Sequence, residues 1–203
     1  MNQELTNKIE RLKADTEAKY LSSKSIYKGK FIQLVEEDYL LPNGVIMKRE
    51  RIIKNSGKQA VIIIAITNDN KYLLVSQNRI NKTVTLEFPS GYVENGESII
   101  DASTRELLEE TGYYSDDIRL IDSYCNSVGV DGSIVNIVVA YNAIKANGQN
   151  LGKYEYINYD EFSFDELREL IDENYICGVG NKLAYYELLN TKDVNIKKLR
   201  KSK

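Results

Sequence analysis

The sequence predicts an α+β protein, an α/β/α layered domain with an antiparallel strand region at its N-terminus. Three observations predict it. Residues 60–67 are almost wholly apolar and too short to cross a membrane, so they read as a buried strand. Strand-like runs stand on both sides of one helical stretch that ends at Gly112. Two further helix signals close the chain, and strands flanked by helices pack as layers around a shared core.

Taken in order, residues 1–19 are charge-rich with Leu5, Ile9 and Leu12 at helical spacing, a helix that covers a neighbour or frays. From Ile26 the pattern becomes strand-like. Residues 26–41 and 45–54 are two runs about Pro42-Asn43-Gly44, a hairpin signal. Lys48, Arg49, Glu50 and Arg51 mix signs on the returning strand, either as an ordinary solvated face or as a surface beside an anionic ligand. After the 60–67 strand, residues 68–71 are a turn and 72–76 a paired strand, which ends in Gln77, Asn78 and Arg79. A strand at 83–88 leads through Pro89 and Ser90 into Gly91. Residues 117–127, 134–141 and 153–159 are the remaining strands, the first two joined by a loop at 128–133. Ser163 and Glu166 form a capping box that opens a helix to about Glu173, residues 180–191 are a final helix, and the Lys-rich end is a solvated tail.

The stretch before Gly112 carries the chemistry. Ser98 suits an N-cap, with Asp101 three residues on, and Gly112 suits the left-handed position that ends a helix. Glu106, Glu109 and Glu110 stand at i, i+3 and i+4, so they share one face and repel one another. Ile100, Leu107 and Leu108 point elsewhere and hold the helix on a core. Clustered carboxylates ask for a cation, and all-oxygen ligation suits Mg²⁺ or Mn²⁺. The alternative is a solvated acidic face.

Composition narrows the field. A chain of 203 residues, 42% hydrophobic and 28% charged, buries a real core as one large domain or a domain with an appendage. A net charge of −3 supplies no basic field to recruit nucleic acid. Cys125 and Cys177 lack metal or redox spacing and, with no long apolar span or signal peptide visible, read as reduced thiols of a cytoplasmic protein. Histidine is absent, which removes imidazole bases, Ser-His and Cys-His catalysis and His-based zinc sites. Any proton acceptor is therefore a carboxylate, or else a Lys or Tyr.

Gly, five residues, Glu, seven residues, then Arg-Glu-Leu-x-Glu-Glu-x-Gly resembles the Nudix hydrolase box, at Gly91, Glu97, Arg105, Glu106, Leu107, Glu109, Glu110, Gly112 and more loosely Tyr113. The lead-ins Gln77-Asn78-Arg79 and Glu87-Phe88-Pro89-Ser90-Gly91 resemble those of the ADP-ribose pyrophosphatase branch. The resemblance implies a mixed sheet sandwiched between helices and hydrolysis of a nucleoside diphosphate linked to another group, most simply ADP-ribose to AMP and ribose 5-phosphate. Other nucleotide substrates, or a catalytically silent binding module, are the alternatives. It also implies that residues 1–55 join a partner subunit in a homodimer, with residues 56–195 as the hydrolase domain and 196–203 as a basic tail.

The same resemblance implies site residues. Glu106 and Glu110 would be the main metal ligands, Glu109 would share metal or water, and the Ser90 carbonyl would complete the shell. Glu97 would approach the metal or pair with Arg105, which would orient carboxylates. Arg79, whose planar fork matches phosphate oxygens, would bind substrate beside Glu87 and Gly91, or else be an ordinary surface arginine. The branch usually carries Pro-Gly and then Glu in the loop after the box. This chain has no proline there, Ser133 stands near the expected Glu, and Asp131 is the loop's one acid. Asp131 would take the base role, or be a turn residue while a box glutamate serves.

Overall fold

A computed structural model describes residues 2–14, 16–79 and 84–190, so Thr83, Thr191 and the tail at 196–203 lie outside the described residues. The chain forms two compact units, one from Met1–Gly57 with Ser127–Ser133 and the other from Lys58–Asn126 with Ile134–Lys203.

In the first unit, α1 (Gln3–Lys13) is capped by the Asn2 side chain, which accepts from the Leu5 amide at 2.8 Å, and it buries no residue. Three strands follow, β1 (Lys19–Lys28), β2 (Ile32–Leu40) and β3 (Ile46–Lys54), paired antiparallel in that order. The single run expected at 26–41 is thus two strands. The chain reverses at residues 29–31, where the Gly29 amide donates to the Ile32 carbonyl at 2.9 Å. Every residue of β1 is exposed, so the ladder to β2 holds it and no buried alternation marks it in the sequence. The Pro42-Asn43-Gly44 turn joins β2 to β3, with Gly44 at φ 82°.

The mixed charges of β3 pair across the ladder. Lys48 bridges Glu36 and Asp38, and Arg51 donates from Nε and Nη2 to the buried Glu37 carboxylate at 3.0 and 2.7 Å. The 127–133 loop lies along β3, with the Ile52 amide donating to the Val130 carbonyl at 2.9 Å and Lys54 Nζ 2.5 Å from Asp131.

The second unit contains β4 (Ala60–Thr67), β5 (Tyr72–Asn78), β6 (Val84–Glu87), β7 (Ser90–Tyr92), α2 (Ile99–Thr111) and β8 (Tyr113–Tyr114). It continues with β9 (Asp117–Ser127), β10 (Asp131–Lys145), β11 (Ile157–Phe162), α3 (Phe164–Asp172) and α4 (Val179–Asn190), the end of β9 at Ser127 and the start of β10 at residues 131–133 belonging to the first unit. The sheet is mixed. Its path is β11-β5-β4-β10-β8, with β6 on β5, β7 on β4 and β9 on β10, and β4 runs parallel to β10. Successive residues of β4 serve opposite faces. Val61, Ile63 and Ala65 pack with Ala102 and Leu107 of α2, whereas Ile62, Ile64 and Ile66 pack with Leu167, Ala184 and Leu188 of α3 and α4. This two-sided burial explains the unbroken apolar run and makes the sheet the middle layer between helices.

Two local expectations shift. The last strand begins at Ile157 and not Lys153, because a turn with the Glu155 amide donating to the Gly152 carbonyl at 3.0 Å occupies the intervening residues. Ser90–Tyr92, expected as a lead-in, pairs with β4. The helix punctuation matches its signals: the Ser98 side chain accepts from the Asp101 amide, the Ser163–Glu166 capping box is closed in both directions, and Gly112 ends α2 at φ 72°.

A Cβ on Gly112 would overlap the Asn147 carbonyl in a conformation that L side chains rarely adopt. Gly112→Ala should therefore destabilise the protein by about 1–3 kcal/mol, a fall in melting temperature of several degrees by calorimetry, and an unchanged melting temperature would contradict the strain.

Candidate active site

Helix α2 presents its acids to an open cleft of about 590 Å³ in the second unit. The helix can carry them because one guanidinium binds three. Arg105 donates to both Glu97 oxygens at 2.9 Å, to Glu106 at 2.8 Å and to Glu109 at 3.2 Å, and its remaining reach goes to the Tyr92 carbonyl at 2.9 Å. Hydrogen bonding to Arg105 holds the Glu97 carboxyl below the usual range.

Glu106 and Glu110 behave in the opposite way. Burial pushes Glu106 up despite Arg105. Burial pushes Glu110 up to about 8, although the Ser90 amide donates to it at 2.9 Å. Glu110 is only 6% exposed. Gly91 stands where it does because a Cβ there would overlap the Glu106 carboxylate, so glycine lets β7 approach α2.

Across the cleft, Arg79 donates from Nε and Nη2 to the two Glu87 oxygens at 2.9 and 2.5 Å, and Thr85 Oγ1 adds a third bond to Glu87 at 2.5 Å. Burial alone would raise the Glu87 carboxyl, but these donors outweigh it and hold it below the usual range. The Arg79 side chain remains 46% exposed at the cleft. The structure thus brings Arg79, Glu87, Ser90, Gly91, Arg105, Glu106, Glu109 and Glu110 to one cleft lining. Glu97 attaches to that group through Arg105.

Asp131 is not in this lining. It belongs to the first unit, paired with Lys54 and accepting from the Ser133 amide at 2.9 Å. Glu94, which is paired with Lys58, and Glu155, whose charge raises both Glu106 and Glu110, line the cleft without being candidates in the sequence. The Glu155 carboxylate accepts from the Gly152 amide at 2.7 Å. The usable signal was the turn itself, an acid three residues after a glycine just before a strand.

Among the described residues, no three acidic or thiol groups converge closely enough to enclose a cation by themselves. The donor set is nonetheless one a hard cation accepts: all oxygen, two of the carboxyls raised by burial, and an open side where water and phosphate oxygens would supply further ligands. Among the described residues, no helix is long and apolar enough to cross a membrane.

The NUDIX domain family profile matches residues 57–175. The chain is 36% identical over 163 residues to the methanol dehydrogenase activator of Bacillus methanolicus, covering 79% of this chain and 86% of that protein. It is 32% identical over 177 residues to the ADP-ribose pyrophosphatase of Bacillus subtilis (strain 168), covering 85% and 94%. A solved structure titled ADP compounds hydrolase superposes with a TM-score of 0.76 at 22% identity, over 86% of this chain and 93% of that one, and so shares the fold.

The raised Glu110 carboxyl has a consequence for the metal-free protein. Because its pKa in the fold lies above the ordinary carboxylate value of 4.5, Glu110 stabilises the fold in its protonated form. That contribution is complete below the ordinary value and is lost as pH rises through about 8. In EDTA, Glu110→Gln should gain melting temperature relative to the native protein between pH 5 and 8. A constant difference across that range would contradict the shift.

Proposed function

This chain belongs to the NUDIX family of pyrophosphohydrolases, and from that membership we propose that it hydrolyses ADP-ribose to AMP and ribose 5-phosphate with Mg²⁺ or Mn²⁺. The observation that carries the reading is the pairing, in one cleft, of a carboxylate helix face, with Glu110 buried, and the half-exposed guanidinium of Arg79. The names of the relatives from Bacillus subtilis and, at 28% identity over 120 residues, Escherichia coli (strain K12), an ADP-ribose pyrophosphatase and the ADP compounds hydrolase NudE, support the substrate class.

Glu106, Glu109 and Glu110 would hold the metal with the Ser90 carbonyl, and Glu97 would hold Arg105 in place. Bound metal supplies charge neutralisation on the diphosphate and a more acidic water. Arg79 binds a phosphate oxygen with the N–H groups that Glu87 leaves open, and Glu87 keeps the fork aimed into the cleft. Glu155 takes the proton of the attacking water, an assignment supported by its place in the cleft lining. Water adds to one phosphorus, the bridging P–O bond breaks, and the departing phosphate carries away the bond's electron pair.

The N-terminal region at 1–55 serves in this reading as a homodimer element. Support comes from β1, exposed throughout with Leu21 and Ile26 on it, and from Phe31, exposed just after it. Neither cysteine forms a disulfide, which agrees with a cytoplasmic enzyme. The net charge of −3 favours a small nucleotide over nucleic acid as the partner.

AMP release should be followed from ADP-ribose, with UDP-glucose and 8-oxo-dGTP in parallel. It should require Mg²⁺ or Mn²⁺, vanish in EDTA, and fall about 10²-fold or more in both Glu110→Gln and Glu155→Gln, with a much smaller loss in Asp131→Ala. Preferred turnover of another panel member would replace the substrate and keep the chemistry. Metal binding without turnover of any of them would leave a binding module.

A further inference from the structure

The loop that delivers Glu155 is built onto the end of the carboxylate helix. A helix leaves its last carbonyls without intrahelical partners. Here residues 145–150 take them in turn. The Asn150 amide donates to the Glu109 carbonyl at 2.9 Å, and the Ala146 and Asn147 amides donate to that of Gly112 at 2.9 and 3.0 Å. Lys145 Nζ reaches the Thr111 carbonyl at 2.6 Å.

The remaining carbonyl, that of Glu110, receives a side chain. Gln149 Nε2 donates to it at 2.6 Å and, with its other hydrogen, to the Ile157 carbonyl at 2.9 Å. The two acceptors belong to different parts of the site. One is the backbone of the most buried acid of α2, and the other is the first residue of β11, two positions beyond Glu155. A single amide therefore ties both feet of the loop to the helix. The Gln149 side chain does not line the cleft, so it meets no substrate.

We infer that Gln149 is a positioning residue: its amide clips the Glu155 loop to the Glu110 backbone and sets the distance between the water-activating carboxylate and the acid face of α2. The inference rests on the role given to Glu155 in the proposed function. Misplacing a catalytic group by about 1 Å costs on the order of 10²-fold in rate, so loss of the clip acts on turnover more than on binding.

The test is a double-mutant cycle with Gln149→Met, which keeps the side chain's length and removes both donors. In the native background, kcat for ADP-ribose should fall about tenfold or more, while KM and the affinity for Mn²⁺ alone stay within about threefold. In the Glu155→Gln background, the same substitution should change kcat by less than about twofold. Equal losses in the two backgrounds, a matching loss of Mn²⁺ affinity, or no loss in the native background each overturns the inference. Full activity of Glu155→Gln by itself would overturn the Glu155 assignment, and the clip's role with it. If Gln149→Met does not fold, Gln149→Ala is read by the same criteria.

Discussion

The guanidinium of Arg105 is the contact on which the site depends. Glu106 and Glu109 would repel each other along α2, and Glu97 would add a third charge from the preceding loop. One planar fork accepts all three and also binds the Tyr92 carbonyl, so it fastens the loop, the short strand β7 and the helix to one another. Glu110, beyond its reach, receives only a backbone amide and keeps a carboxyl that the fold prefers protonated. Arg105 thus bonds Glu106 and Glu109 of the helix and leaves Glu110, while burial still raises both Glu106 and Glu110. All three acids line the cleft, where their uncompensated charge is what a cation would neutralise.

Local signals made much of this legible in the sequence. Ser98, Ser163 and Gly112 are decisive because capping is settled within a few residues, and each stands where its side chain or its positive φ requires. The run at 60–67 is decisive for another reason, since burial on both faces leaves no room for polar residues. What escaped notice is held by distant partners. Strand β1 has no buried face, so only its ladder to β2 makes it a strand. Strand β7 is three residues long and exists because β4 lies beside it.

The acids show the same division. Glu106, Glu109 and Glu110 announce themselves by spacing, because one helix turn brings them together. Glu155 has no such signature, and only tertiary structure places it beside them. Asp131 drew attention as the one acid in a loop of expected interest, yet that loop lies along β3, with Lys54 as the partner of Asp131.

Strands β4 and β10 are parallel, and parallel neighbours cannot be joined by a tight turn. The chain between them runs through β5, β6 and β7 and then α2, which packs on the β4 face through Ala102 and Leu107. The acidic helix therefore lies inside the long connection that the pairing of β4 with β10 closes. The segment that carries the box acids and the pairing at the centre of the sheet are thus parts of one closed connection. Where the packing of α2 on β4 is lost, the acidic segment returns to water and Glu110 loses its burial.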